Sequence, residues 1–354
     1  VLLLPIWQER PITQEDLSPT RYPIHAEADD LQFAAQGFAY GDHEFRSRLA
    51  GNMGRTGSAT AAQLLAEQLR KETDPAVTGS LLALLAVLPA EDAVTADEVE
   101  TFLSHPSLYG RSHAVRLYAK LPGSSPERIL AIARSEAASG VRVAAIESLT
   151  EYATEIEAGD VVSLLDADSV RTRAAAYRLL CHLPGRGRAT RERLATACES
   201  ASVAVRFGIA ETLPQLSAGM ARQLAGLLVK DRHASVRGAA AASMGDLEDP
   251  AVTGLLVELS QDADGEVRRL AAAALGAYPE ERAVKTVVRM FGDPVRFVRE
   301  DAEESAIRLN ADISVLAATA SALDRENPDA RVRAFNVLGR VDATAYHDRI
   351  VAAL

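Results

Sequence analysis

The chain is poor in cysteine, aromatic residues and lysine, and it has no long apolar run. Its 354 residues include two cysteines, one tryptophan and 5% aromatic residues in all. Two cysteines are too few for a disulfide framework or a zinc site, so we expect Cys181 and Cys198 to be small buried side chains. No run of 18 apolar residues occurs, which excludes a complete membrane-spanning helix within the sequence given.

Positive charge is also in deficit. The formal net charge is −11, and lysine occurs only at Lys71, Lys120, Lys230 and Lys285. Proteins that bind nucleic acid in general carry a basic surface that neutralises phosphates, so this balance argues against such a function.

Motifs that carry catalytic chemistry are missing as well. The seven histidines show no i, i+4 pairing, and neither a glycine-rich phosphate loop nor a G-x-S-x-G motif is present. We therefore predict no catalytic residues, no metal site and no cofactor.

The chain contains one sequence unit that is repeated several times. Three stretches share an Asp five residues before a Val-Arg pair, followed by small residues at helical spacing: DRHASVRGAAAASMGDL from Asp231, DADGEVRRLAAAALGAY from Asp262 and DPVRFVREDAEESAIRL from Asp293. The Val recurs at 236, 267 and 298, a period of 31 residues. A fixed period of this size is typical of solenoid proteins.

The repeat extends in both directions. We assign ten anchor residues, 29 to 35 residues apart: Phe45, Val77, Leu108, Val141, Val170, Val205, Val236, Val267, Val298 and Val332. Each unit has a first helix rich in large aliphatic residues and a second, alanine-rich helix that begins at the anchor. Neither helix can bury its apolar stripe alone, so neighbouring units must stack.

An Asp, four residues and then Val-Arg at the head of an alanine-rich helix resembles the HEAT repeat. The short period is most similar to the HEAT-like repeats of phycobilisome (bilin) lyases, and the resemblance covers roughly residues 29 to 345. It implies an all-α fold, a right-handed α-α superhelix of about ten two-helix repeats of ~31 residues. HEAT-repeat hydroxylases that bind iron use repeated His-Glu pairs, whereas this chain has one, at His43-Glu44.

The resemblance also implies a ladder of Arg and Asp side chains between adjacent repeats. The residues that match it are Asp231, Arg237, Asp262, Arg268, Asp293 and Arg299. We expect exposed ion pairs, which contribute ~0–1 kcal/mol each, so the ladder should set register more than stability.

The segment from Arg171 to Arg193, which we call the arginine island, contains seven arginines and only one acidic residue, Glu192. With two arginines of the aligned helix further upstream, the candidate partner-binding residues are Arg111, Arg116, Arg173, Arg178, Arg186, Arg188 and Arg191. Arginine suits bidentate capture of carboxylates, so the sequence predicts a protein partner with an acidic segment. Opposite in charge is the run Glu300 to Glu304.

Both ends differ from the array. Residues 1–28 hold four prolines and no helical period, which predicts an extended arm, followed by the repeat solenoid over 29–354. The apolar start, Val1 to Trp7, is compatible with an arm or with the end of a signal or membrane anchor encoded before Val1. At the other end, Asp342 to Leu354 has the pattern of a first helix without a second, which predicts an open end.

The sequence favours a non-enzymatic scaffold that binds another protein on the concave face of the solenoid, in the cytoplasm or at a membrane. Two alternatives stay open: a bilin-lyase-like or other enzyme-assisting protein whose groove holds a prosthetic group, and a membrane-linked accessory subunit.

Overall fold

The computed structural model describes residues 28–184, 187–309, 322 and 327–340. Within these ranges there is no β-strand, and α-helices alternate with short connections. Residues 1–27 of the predicted arm, Arg186 and the segment from Asp342 to Leu354 lie outside the described residues, and Ala28 begins the first helix. The chain divides into two compact units between Thr172 and Arg173.

The first unit contains the helices α1 (Ala28–Ala35), α2 (His43–Gly54), α3 (Ala59–Lys71), α4 (Pro75–Leu85), α5 (Ala96–Glu100), α6 (Leu108–Lys120), α7 (Pro126–Ser135), α8 (Ser139–Ser148), α9 (Ala158–Leu165) and the start of α10 (Val170–His182). Its second helices pack in series, α2 on α4, α4 on α6 and α6 on α8.

The second unit contains the rest of α10 and the helices α11 (Arg188–Ala197), α12 (Val203–Glu211), α13 (Ala218–Leu228), α14 (Ala234–Met244), α15 (Thr253–Leu259), α16 (Gly265–Leu275), α17 (Glu281–Met290), α18 (Arg296–Arg308) and α19 (Pro328–Arg340). Its second helices also pack in series, from α12 through α14, α16 and α18 to α19. The described residues thus hold nine helix pairs and a tenth second helix, and the predicted fold class, an all-α array of the α-α superhelix type, is confirmed.

Several second helices begin where a polar side chain accepts a hydrogen bond from the N–H of the anchor residue. Asp42 accepts a hydrogen bond from the N–H of Phe45 at 2.7 Å, and Asp74 accepts from Val77 at 3.2 Å before a helix that starts with Pro75. An oxygen three residues before the anchor satisfies one of the N–H groups that a helix start leaves without a partner. In the helices that have it, this cap fixes the start of the helix three residues before the anchor that enters the core.

Three of the ten predicted anchors are wrong by two residues. Leu108, Val170 and Val332 are 54%, 43% and 55% exposed. The buried positions lie two residues later at Gly110 and Thr172, and two residues earlier at Ala330. The corrected anchors are 31 to 33 residues apart, more regular than the predicted 29 to 35.

At Gly110 the small residue has a local cause. A Cβ atom there would lie 2.2 Å from Nδ1 of His105, whose ring is buried. Glycine therefore leaves the space that the imidazole fills, at an anchor where other repeats carry valine.

The core consists of small and medium-sized side chains between the helices. Ala240 and Ala272, on two neighbouring second helices, are fully buried, as are Leu224 and Leu256 on first helices. Cys181 and Cys198 are buried too. Small residues at the seams allow close approach of helix axes, so the aromatic content can stay low.

Candidate functional site

On several second helices one arginine joins two successive loops. Nε and Nη2 of Arg237 donate to the two carboxylate oxygens of Asp262, at 2.6 and 2.7 Å, and Nη1 donates to the carbonyl of Asp231 at 2.7 Å. Arg268 repeats the arrangement with Asp293 and with the carbonyl of Asp262. The guanidinium therefore ties the loop before its own helix to the loop before the next one.

The arrangement extends beyond the six residues that the sequence singled out. Arg206 pairs with Asp231 at 2.5 Å, and Arg299 pairs with Asp329 at 3.4 Å. In the first unit glutamate replaces aspartate, with Arg46 on Glu72 at 2.9 Å and Arg111 on Glu136 at 3.4 Å. We call this series the Arg–acid ladder.

The expectation that these ion pairs are exposed is wrong. The side chains of Arg206 and Asp231 are only 3% and 5% exposed, because the helices on either side cover the loop between them. Burial alone would raise the pKa of Asp231, but hydrogen bonds from Arg206 and from the N–H of His233 hold it below its ordinary value. The hydrogen bond from Arg237 likewise lowers the pKa of Asp262. Both carboxylates are therefore charged at neutral pH.

The candidate partner-binding arginines are distributed over different settings. Arg111 belongs to the ladder and is half-buried, and Arg116 pairs with Glu147 at 3.1 Å on the second helices of the first unit. In the second unit Arg178, on α10, lies 3.5 Å from Glu211, and Arg188 pairs with Glu192 on α11, a first helix. Arg173 is half-buried on α10 and Arg191 is exposed on α11. Their role in binding a partner stays a prediction.

The acidic run on α18 is largely paired with arginines. Asp301 accepts from Arg269 at 2.7 Å, and the buried Glu303 accepts from Arg333 at 2.5 Å. The run is therefore part of the contact between neighbouring second helices.

A groove lies on the exposed face of α14, in the second unit, with a volume of about 630 Å³. Its floor is formed by residues with little or no side chain, Ser235, Gly238, Ala239 and Ala242. Phe207 of α12 and Leu270 of α16 line its two sides. The groove exists because α14 is bare on this stripe while both neighbouring helices carry large side chains. We call it the α14 groove.

Carboxylates stand at both ends of the α14 groove. By their positions along the helices, Asp264 and Glu266 lie where the helices start, and Glu211 and Asp246 lie toward their ends. Neither Lys nor Arg lines the groove. An apolar floor between two acidic ends can accept an apolar side chain that has cations on both sides.

Two of the four carboxylates already have arginine partners. Glu211 lies 3.5 Å from Arg178, and Glu266 pairs with Arg269 at 2.6 Å. Asp264 caps α16 by accepting from the N–H groups of Glu266 and Val267. Asp246 forms no ion pair within the part of the chain that the structure describes, and it follows the last turn of α14.

The α14 groove was not predicted from the sequence. A signal was available, since Ser235, Gly238 and Ala242 recur at helical spacing and leave one stripe of α14 without a large side chain. On α12 the counterpart of Gly238 is Phe207, and on α16 the counterpart of Ala239 is Leu270. Helical spacing of small residues is typical of a buried seam, whereas Ser235 and Ala242 are exposed and line the groove beside the buried Gly238.

Among the described residues, no group of three or more His, Cys, Asp or Glu side chains is arranged to hold a metal ion. Within the same ranges no helix is both long and apolar enough to cross a lipid bilayer.

Comparison with known proteins finds repeats of one family. Residues 221–307, which include α14, α16 and most of α18, match the family model described as HEAT repeats. No curated protein sequence matches the chain.

Several solved structures are similar in fold. An engineered protein shares 16% identity at a TM-score of 0.41, with 88% of this chain and 98% of that chain covered. YibA of Escherichia coli shares 18% at a TM-score of 0.47, with 78% and 96% covered. A chain in the structure of Kap95p bound to RanGDP shares 12% at a TM-score of 0.46, with 92% and 53% covered. None of the three is similar enough to transfer a function.

The features of the matched segment recur outside it. Second helices before residues 221–307 show the same pairing of arginine with an acid of the following loop, and the helix after them, α19, keeps the anchor period. Residues 221–307 are therefore similar to HEAT repeats, and the helix pairs outside this segment continue the same array.

Proposed function

We propose that the chain is a non-enzymatic scaffold that holds another protein against the exposed face of its second helices. The observation that carries the proposal is the α14 groove, an apolar depression with carboxylates at both ends on a surface made of stacked helices. Exposed apolar depressions with polar rims are typical of protein-binding surfaces. A stack of repeats offers such a surface without any catalytic side chain.

The first helices make a poorer candidate surface. A depression on α17 is lined by Glu281, Arg282, Lys285 and Arg289, which are charged, and Lys285 is engaged with Glu281. A partner would have to displace these charges from water or from each other, which costs free energy. The face of the second helices therefore supports partner binding better.

Site-specific photo-cross-linking tests the proposal. A photoreactive phenylalanine analogue is placed at Ser235 and Tyr109, both exposed near the start of second helices, and at the exposed Lys285 on a first helix. The full chain is expressed in the cells of its source organism and irradiated. We expect a discrete adduct with one partner protein from at least one second-helix position and none from Lys285.

Adducts from Lys285 alone, or equal adducts from all three positions, would contradict the proposal. The alternative of a prosthetic-group carrier is tested on the purified chain by its absorbance spectrum. A chromophore held at one per chain would favour that alternative.

A further inference from the structure

We infer that the α14 groove binds a short segment of the partner in which a large apolar side chain stands between lysine or arginine residues. This inference rests on the proposed function and names the chemistry of the partner. Its grounds are the shape of the groove, the charges at its ends and the position of Asp246.

The shape of the groove selects a large apolar side chain. The floor residues Gly238, Ala239 and Ala242 leave about 630 Å³ open between Phe207 and Leu270, which are themselves only half-buried. An aromatic or long aliphatic side chain in this space removes its own surface and that of both flanking residues from water. A small side chain would leave most of the groove filled with water.

The side chains that flank the groove cannot move inward to close it. Leu270 already lies against Gly238, where an added Cβ would meet its Cδ1 at 3.0 Å. The leucine side chain is thus in contact with the backbone of α14 and has little room to move inward. The groove therefore stays open, because Leu270 already contacts α14 and cannot come closer.

The ends of the groove select positive charge on both sides of the apolar residue. The helix α14 has 11 residues, a length of about 16 Å at the usual rise of an α-helix. Asp264 lies at one end and Asp246 at the other, so an extended segment of about six residues spans the distance between them. A lysine or arginine at one end of such a segment lies near Asp264, and one at the other end lies near Asp246.

Asp246 provides a second, independent argument for a cation. It follows the C-terminus of α14, where unsatisfied carbonyl groups and the helix dipole already favour positive charge. A carboxylate at this place is unfavourable for the isolated helix. A cation of the partner compensates both the carboxylate and the carbonyl groups.

An acidic segment is a poor occupant of the same groove. The groove lining contains four carboxylates and no basic residue, and the chain carries a net charge of −11. Like charges at close distance repel, and in a partly buried groove water screens them less. The α14 groove therefore favours a partner of opposite charge to that predicted from the arginine island.

Three fluorescein-labelled peptides provide the probes: GSKKLFKKGS, GSEELFEEGS and GSKKAAKKGS. Binding to the full chain is measured by fluorescence polarisation at 150 mM salt. We expect the first peptide to bind about 10- to 100-fold more tightly than the third, because the third lacks the apolar side chains. No saturable binding is expected for the glutamate peptide.

Two variants test whether the peptide binds in the groove. Ala242→Phe fills the floor at an exposed position, and Asp246→Lys reverses the charge at one end; each should weaken binding of the first peptide at least about tenfold. The matched controls are Ala83→Phe, at the same helix position of α4, and Glu258→Lys, an exposed acid on α15. Both controls should bind as the unaltered chain does.

The inference is overturned if the glutamate peptide binds as well as the first one, or if the alanine peptide equals it. It is also overturned if neither groove variant weakens binding while circular dichroism shows both to be folded. If all three peptides fail but a natural partner cross-links at Ser235, the chemistry assigned to the groove is wrong and the proposed function stands. If peptides bind and no partner cross-links at Ser235 or Tyr109, the proposed function fails instead.

Discussion

Two arginines of the same protein show how burial changes the value of an ion pair. Arg206 and Asp231 are 3% and 5% exposed, whereas Arg70 and Glu98 are 45% and 40% exposed. Water screens the second pair, and its net contribution is ~0–1 kcal/mol. In the first pair, loss of one partner leaves the other charge buried without compensation, which costs about 3–5 kcal/mol.

We therefore predict different outcomes for two matched substitutions. Arg206→Leu should lower the free energy of unfolding by about 3–5 kcal/mol, and Arg70→Leu by less than about 1 kcal/mol. Urea unfolding followed by circular dichroism measures both. The double variant Arg206→Leu with Asp231→Leu should recover much of the loss, because no buried charge is left over. Equal losses for Arg206→Leu and Arg70→Leu would show that burial does not govern these pairs.

At the scale of the helix, the question is which residue of each second helix occupies the buried anchor position. Thr172 is fully buried at an anchor, and its hydroxyl has no hydrogen-bond partner within the described residues. Val170, two residues earlier, is 43% exposed. A buried hydroxyl without a partner costs about 1–3 kcal/mol relative to an apolar group of the same shape.

Thr172→Val should therefore raise the free energy of unfolding by about 1 kcal/mol or more. The reverse substitution at the exposed neighbour, Val170→Thr, should change it by less than about 0.5 kcal/mol. Thermal and urea unfolding of the two variants check the register directly. If neither substitution raises the free energy of unfolding, or if Val170→Thr lowers it strongly, Val170 would be the anchor, as the sequence predicts.

The seams between second helices carry a further prediction. Ala272 of α16 is fully buried, and its carbonyl accepts from the hydroxyl of Ser305 on α18 at 2.8 Å. Ala272→Leu should overpack this seam and lower the free energy of unfolding by about 1–3 kcal/mol. Ala204→Leu, at an exposed position of α12, serves as the control and should be nearly neutral. Unchanged unfolding of Ala272→Leu would mean that the seam has unfilled space.

How far the sequence predicts the structure can be judged from these same elements. The period and the helix pairs were predictable because Asp, Val and Arg recur together at fixed spacing. The register failed at Gly110, Thr172 and Ala330 because the true anchors there are small or polar, and a larger apolar residue stands two positions away from each. The serine or asparagine caps Ser107, Ser169 and Asn327 mark the correct starts and were the better signal.

The candidate site was harder to predict than the fold. Periodicity identifies which side chains are buried, but the α14 groove results from what Phe207, Gly238 and Leu270 on three helices leave open between them. The burial of Arg206 and Asp231 likewise depends on neighbouring helices that a single repeat does not reveal.

For the whole molecule, the carboxylates govern the response to acid. The pKa of Glu98 is lowered to about 2 by its hydrogen bond from Arg70, and the pKa values of Glu72, Asp231 and Asp262 lie below their ordinary values. In the unfolded chain such groups bind protons near pH 4. Below that pH the unfolded chain binds more protons than the folded one, so stability falls with falling pH.

We predict that the urea midpoint is nearly constant from pH 7 to 5 and then falls between about pH 4 and 2. Asp262→Asn should be less stable at pH 7 and should lose less on acidification, because one of the titrating groups is gone. A midpoint that stays unchanged down to pH 3 would contradict the lowered pKa values. Measurement at 1 M salt separates this effect from general repulsion between charges.

The floor of the α14 groove has a thermodynamic consequence. Gly238, Ala239 and Ala242 have no side-chain rotamers to lose, so the floor is ordered before anything binds. The entropy lost on association then comes almost entirely from the incoming segment. Stiffening that segment, for example by cyclisation, should strengthen binding mainly through the entropy term, whereas the apolar surface removed from water should appear as a negative heat-capacity change.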